Sequence, residues 1–188
     1  MNQISFTARF VKNTTVKKLD KATGDYKDKK VAIVELDQKD EKDLDSLSKI
    51  SKNWNINGGV FVGCIYGDAK KNKLPEDVIK EHYYAITTQR GGYKNLNPKK
   101  VLGLNMFSEM NAPYDDLTWL ETKPTTSVKI SSARKYKNIG SAMIDFLTKE
   151  YSQKPIHVYS AEDAIMFYRN NGFTHRFGDT RSDLYYEA

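Results

Sequence analysis

The stretch KYKNIGSAM, residues 135–143, sets two lysines and a tyrosine just before Asn-Ile-Gly, and an apolar run follows at helical spacing. Ile139, Met143, Phe146 and Leu147 recur three and four residues apart, which predicts a helix with one buried stripe. The first four N–H groups of a helix have no partner within it, and the aligned peptide dipoles add partial positive charge there. Anions settle at such an end when the backbone can curl around them and no side chain intrudes. Asn138 tolerates a left-handed backbone better than other non-glycine residues, Gly140 carries no Cβ, and Lys135 and Lys137 add counter-charge. The junction therefore suits a pyrophosphate. It is not a P-loop, because no Gly-Lys-Ser/Thr follows, and it lacks the three spaced glycines of a dinucleotide fingerprint.

Around this helix the chain reads as mixed α/β. ISFTARFVKN (residues 4–13) alternates like a half-buried strand, KATGDYKDKK is polar and turn-rich, and KVAIVELD (30–37) is a second strand. A helix capped by Asp37 or Asp40 should then bury Leu44, Leu47, Ile50 and Trp54. VFVGCIYGDAKKN leaves helix and strand both open, and LPEDVIKEH (74–82) reads as a short helix with Pro75 in its first turn. HYYAITTQ and KKVLGLNMFSEM are β-rich runs, Pro113 with Asp115–Asp116 reads as a turn, and DLTWLETK is a further strand. PTTSVKISSARK reads as a loop ahead of the helix at 139. IHVY (156–159) is a strand, Ser160 and Asp163 offer a capping box for the next helix, Asn171–Gly172 stops it, and SDLYYEA closes as a strand.

Downstream of the helix mouth, Ala164, Tyr168, Gly172 and Phe173 stand in Ala-x-x-x-Tyr-x-x-x-Gly-Phe spacing. With KYKNIG in the place of a Gln/Arg-x-x-Gly-x-Gly/Ala phosphate loop, the last 60 to 75 residues resemble the GNAT acetyltransferase superfamily. Three positions depart from its pattern. Lys135 replaces Gln or Arg, Asn138 replaces the first glycine, and Ala161 stands where an asparagine is common. About eight extra residues, TTSVKISS, also separate Pro124 from the loop. The resemblance implies a GNAT-like, mostly antiparallel twisted sheet of six to eight strands flanked by helices.

It also implies acetyl transfer from acetyl-CoA to an amine within a ternary complex. Backbone amides over Lys135, Tyr136, Lys137, Asn138, Ile139, Gly140 and Ser141 would hold the pyrophosphate. Leu120, Glu121 and Thr122 would pair with the pantetheine arm. Tyr168 would protonate the departing thiolate, unless it only packs against Phe167. Glu121, or Glu109 on the neighbouring strand, would take the amine's proton, unless each is a solvated carboxylate. Residues 1–188 are expected as one domain, with the acceptor side in 1–80 and the acetyl-CoA core in 100–175. The acceptor is left open among a small molecule, a peptide and a tRNA-borne amine, and the C-terminal strand can serve a homodimer. The competing reading is a non-catalytic module on the same fold that binds CoA, nucleic acid or protein.

Composition bounds these readings. With 188 residues, 39% of them hydrophobic, the chain can build a full core. Its 30 basic and 24 acidic residues give +6, lysine dominates, and acidic residues are interspersed throughout. That predicts a solvated lysine-rich surface before a nucleic-acid face, without excluding the latter. The lone Cys64, between Val62 and Ile65, is expected in the core, and His82, His157 and His175 share no metal-ligand spacing with it. No metal is expected. The absence of a signal-like run or a membrane span predicts a soluble, cytoplasmic protein.

Overall fold

Two long alternating segments come first and pair with each other. β1 (Arg9–Leu19) and β2 (Tyr26–Leu36) form an antiparallel hairpin whose tip is closed by Gly24 at φ 78°. The computed structural model describes residues 8–55, 62–71, 79–123 and 134–187. The expected start of β1 at residues 4–7 therefore lies outside the described residues. β2 begins earlier than its apolar core, because cross-strand pairing reaches back through the polar Tyr26–Lys29.

Asp40 then caps helix α1 (Glu41–Asn55), its carboxylate accepting from the Lys42 amide at 2.8 Å. Leu47, Ile50 and Trp54 are buried on one stripe. The ambiguous run that follows is helix α2 (Val62–Lys71). Its helical period turns Ile65 and Ala69 inward and leaves Cys64 exposed, against the expectation of a core cysteine.

β3 (Ile79–Thr87) overturns the short helix expected over 74–82, at least for its second half. Ile79 to His82 pair with Phe107–Met110 of the next strand, and residues 74–78 lie outside the described residues. β3 is buried almost continuously because it lies between two strands and is covered on both faces. A 3₁₀ turn at Pro98–Lys100 leads into β4 (Val101–Met110). Asp115 and Asp116, expected in a turn, open β5 (Asp115–Thr122) instead.

The two-residue strand β6 (Tyr136–Lys137) precedes α3 (Ile139–Glu150). β7 (Ile156–Tyr159), α4 (Ile165–Asn170) and β8 (Asp183–Tyr186) complete the chain. The expected capping box is not formed. A 3₁₀ turn at Glu162–Ala164 intervenes before α4, and the Ser160 hydroxyl donates to the Ala161 carbonyl at 2.9 Å. Gly172, at φ 93°, ends α4 as expected.

The strands make one eight-stranded sheet in the order β6-β1-β2-β3-β4-β5-β7-β8. Every neighbouring pair is antiparallel except β5 and β7. On one face Ile33, Tyr84, Ile86, Phe107 and Leu117 pack under Met143, Phe146 and Leu147 of α3. On the other, Val34, Tyr83, Ala85, Leu104 and Met106 pack under Leu47, Ile50 and Trp54 of α1 and Ile65 of α2. Among the described residues no helix is long and apolar enough to cross a membrane.

The parallel pair is short. Its ladder contains only Asp115↔Ile156 and Asp116↔His157, after which β5 continues along β4 while β7 continues along β8. A β-bulge in β5, between the pairs Met106↔Trp119 and Ser108↔Asp116, adds to the divergence. The point of parting is tied by side chains. The His157 ring lies 2.8 Å from Asp116 through Nδ1 and 3.1 Å from Asp183 through Nε2, so one imidazole links β5, β7 and β8. Hydrogen bonding to Asp116, offset partly by burial, holds the His157 pKa above its ordinary value.

A Cβ on Gly103 would lie 2.8 Å from Ile139 Cγ2, where β4 passes beneath the start of α3. Gly103→Val should lower stability by about 1–3 kcal/mol in urea unfolding, through overpacking. Because His157 has a raised folded pKa, its contribution is full below about pH 6.5 and is lost as pH rises through the folded value. Wild-type stability should therefore decline across that interval, and His157→Gln should remove this part of the pH dependence in unfolding titrations.

Candidate functional site

The helix mouth is built by three elements. β6 pairs with the end of β1 through Lys17↔Lys137 and Lys18↔Tyr136, and the Leu19 amide donates to the Lys135 carbonyl at 3.0 Å. Asn138 then turns the chain into α3 with φ 62° and ψ 23°, a left-handed conformation otherwise taken only by glycines among the described residues. Its carbonyl accepts the Ala142 amide at 3.0 Å, while its side chain makes no cap hydrogen bond. The turn thus caps the helix by backbone shape alone and leaves the side chain out of the first turn, where Ile139, Gly140 and Ser141 carry the leading amides.

Lysine charge at this mouth is held on aromatic faces. Lys137 Nζ sits 3.9 Å from the centre of the Tyr26 ring, and Lys135 Nζ sits 5.9 Å from that of Tyr136. Gly140 has a different neighbour from the one expected of a bare helix start. A Cβ there would lie 2.8 Å from Phe167 Cζ, so the packing of α4 against α3 is what requires a glycine at this position.

Leu120, Glu121 and Thr122 end β5 beside the same mouth. Gly103 pairs with Thr122 and touches Ile139, which brings the end of β5 and the first residue of α3 to opposite sides of one glycine. Leu120 packs against the α3-side core, and all three residues are half-buried. The expected end of this strand near Pro124, and the extra residues after it, lie outside the described residues.

Tyr168 is buried, 6% exposed, with its ring edge-on to Phe167 and Phe173 at 5.0 and 5.4 Å. Burial, and then the charge of Glu121, push its phenol well above the ordinary tyrosine range, so it stays protonated. The Glu121 charge on β5 therefore reaches the Tyr168 phenol on α4, from elements far apart in sequence. Glu109 is elsewhere. It lies 2.7 Å from His82 Nε2 and 2.9 Å from Lys80 Nζ, four residues along β4 from Asn105, the partner of Leu120.

Two polar groupings escaped sequence reasoning. The His82 ring, nearly buried, sits between Glu35 and Glu109 at 2.7 Å on each side, with Arg9 paired to Glu35. Beside it the Tyr84 and Tyr151 hydroxyls meet at 2.5 Å, joining β3 to the end of α3. The other is the Asp116–His157–Asp183 bridge. Partners 26 to 47 residues apart share no local pattern. The local signal is a histidine within a β-rich run, His82 in HYYAITTQ and His157 in IHVY.

Comparison with known proteins gives the fold and no more. No protein-family model matches the sequence, and no curated protein matches it. Solved structures do match. A protein from Desulfovibrio desulfuricans assigned to the GNAT acetyltransferase family is 10% identical, with a TM-score of 0.52, over 83% of this chain and 96% of that one. The PaiA N-acetyltransferase of Thermoplasma acidophilum, solved with coenzyme A, is 16% identical with a TM-score of 0.47, over 82% of this chain and 96% of its own. The eight-stranded sheet, its single parallel step and the helix that begins at Asn138 are together the fold of the GNAT acetyltransferases.

Proposed function

We propose that the chain is an acetyl-CoA-dependent N-acetyltransferase that moves an acetyl group to an amine by direct transfer in a ternary complex. The observation that carries this reading is the parting of β5 from β7 beside a helix start that no side chain caps. A thioester arm laid along Leu120–Thr122 would reach that start with its pyrophosphate. The amides of Ile139, Gly140 and Ser141 and the cations Lys135 and Lys137 would then meet the phosphates.

The chemistry assigned to this chain is short. The neutral amine attacks the thioester carbonyl, whose oxygen is polarised by a backbone N–H of β5. As the C–S bond breaks, Tyr168 donates its proton to the departing sulfur, and burial keeps that proton in place until then. The amine's surplus proton passes to Glu121, directly or through water, and the phenol, which feels the Glu121 charge, recovers its proton through water. The acceptor side is assigned to the first 80 residues, on the face that α1 and α2 cover.

Calorimetric titration with acetyl-CoA tests the reading. Binding is expected in the wild type and should weaken about tenfold or more in Lys137→Glu and in Asn138→Val, whose β-branched side chain resists the left-handed turn. With an amine acceptor found by screening, Tyr168→Phe should lower kcat by about 10²-fold while binding is retained. A folded protein that binds neither acetyl-CoA nor CoA would overturn the proposal in favour of a non-catalytic module.

A further inference from the structure

Acidic and basic residues alternate along the sequence, but the fold separates them. Four stretches meet at the end of the sheet where α3 begins: residues 17–30 of the first hairpin, the loop 88–100, Lys123, and residues 134–137. Lys17 pairs with Lys137, and the Tyr26 hydroxyl donates to the Arg134 carbonyl at 2.5 Å. Lys123 Nζ donates to the Lys99 carbonyl at 3.0 Å. Burial, and then the charge of Lys135, hold the Lys123 amine below the ordinary lysine range.

Together these stretches carry fourteen lysines and arginines and three aspartates, a local charge of +11, which leaves −5 for the remainder of the chain. Two of the three aspartates are already engaged, Asp28 with Lys17 and Asp20 with Lys27, each at 2.6 Å. Lysines also stand directly opposite one another, Lys18 across from Lys27 and Lys17 across from Lys137. Like charges in such pairs weaken a sheet, so stability does not explain their placement. The phosphates of one CoA bring about four negative charges at neutral pH, which is too few to match the patch.

Aromatic rings lie among the cations. Tyr26 and Tyr136 sit under Lys137 and Lys135, and farther along β1, seven residues before Lys17, Phe10, 44% exposed, stacks on Tyr93 of the 88–100 loop at 5.8 Å and 18°. Cations along a strand ribbon with accessible ring faces suit a chain of phosphates carrying unpaired bases. We infer that this edge, from the β1–β2 hairpin to the 88–100 loop, is a docking surface for a single-stranded nucleic acid. Phosphates lie along the lysines of the ribbon, and bases stack on the exposed ring. The inference is independent of acetyl transfer, since most of these cations lie outside the proposed acetyl-CoA contacts.

The test is fluorescence anisotropy with a labelled 20-nucleotide single-stranded RNA, run from low to moderate salt with and without saturating acetyl-CoA. Binding should weaken with salt with a log–log slope of about −3 for four neutralised phosphates. It should fall about tenfold or more in Lys18→Glu/Lys27→Glu, fall less in Lys18→Gln/Lys27→Gln, and persist when acetyl-CoA is present. Calorimetry on the same variants should show acetyl-CoA binding unchanged, which separates failure of this surface from failure of the acetyltransferase reading. Three results would overturn the inference: no RNA binding at low salt by folded protein, complete displacement of RNA by acetyl-CoA, or poly-glutamate competing as well as RNA.

Discussion

The two-pair parallel ladder between β5 and β7 is the constraint on which the rest of the architecture depends. Parallel neighbours cannot be joined by a tight turn, so the chain must cross over, and α3 is the crossover helix. That helix starts at the end of the sheet where the strands have separated and returns to the end where they touch. The wedge between the two strands thereby has a strand edge on one side and a helix start at its open end. His157 ties the closed end of this wedge to both flanking strands, while Gly103 lets β4 pass directly beneath the open end.

The two faces of the sheet do different work around that wedge. The α3 face is sealed by aromatic packing, Tyr84 against Phe146 and Phe107 against Tyr151, with the His82 carboxylate pair closing its margin. The Tyr84–Tyr151 hydroxyl contact anchors the C-terminal end of α3, so both ends of the crossover helix are held to the sheet by specific contacts. The end of the sheet formed by the β1–β2 hairpin tip, β6 and the 88–100 loop instead gathers fourteen of the thirty lysines and arginines. Charge and packing are thus divided by the fold, although they alternate along the chain.

How legible each element was follows from the range of the contacts that decide it. α3, β7 and the stop at Gly172 were readable because periodicity, an asparagine with left-handed tolerance and a glycine are local signals. The stretch Ile79–His82 was misread because Pro75 suits the first turn of a helix. Its place between β2 and β4 overrides that preference through hydrogen bonds no local pattern reports. Asp115 and Asp116 look like turn residues, but Asp115 accepts from the Met110 amide at 3.0 Å and Asp116 engages His157, and both serve strand pairing. Ser160 and Asp163 had the spacing of a capping box, and a 3₁₀ turn displaced it.

By itself the sequence determined the helix mouth: the left-handed tolerance of Asn138, the lysines before it, the buried stripe behind it, and a tyrosine one motif downstream. These depend on residues within a few turns of each other, where covalent geometry limits the choices. Only the tertiary structure decided what surrounds that mouth. It brought Tyr168 within reach of the Glu121 charge, filled the open side of Gly140 with Phe167, bridged three strands through His157, and gathered fourteen scattered cations onto one edge. Each of these joins groups that only strand order and crossover bring together, and strand order is set by the burial of two whole faces, which no short window of sequence contains.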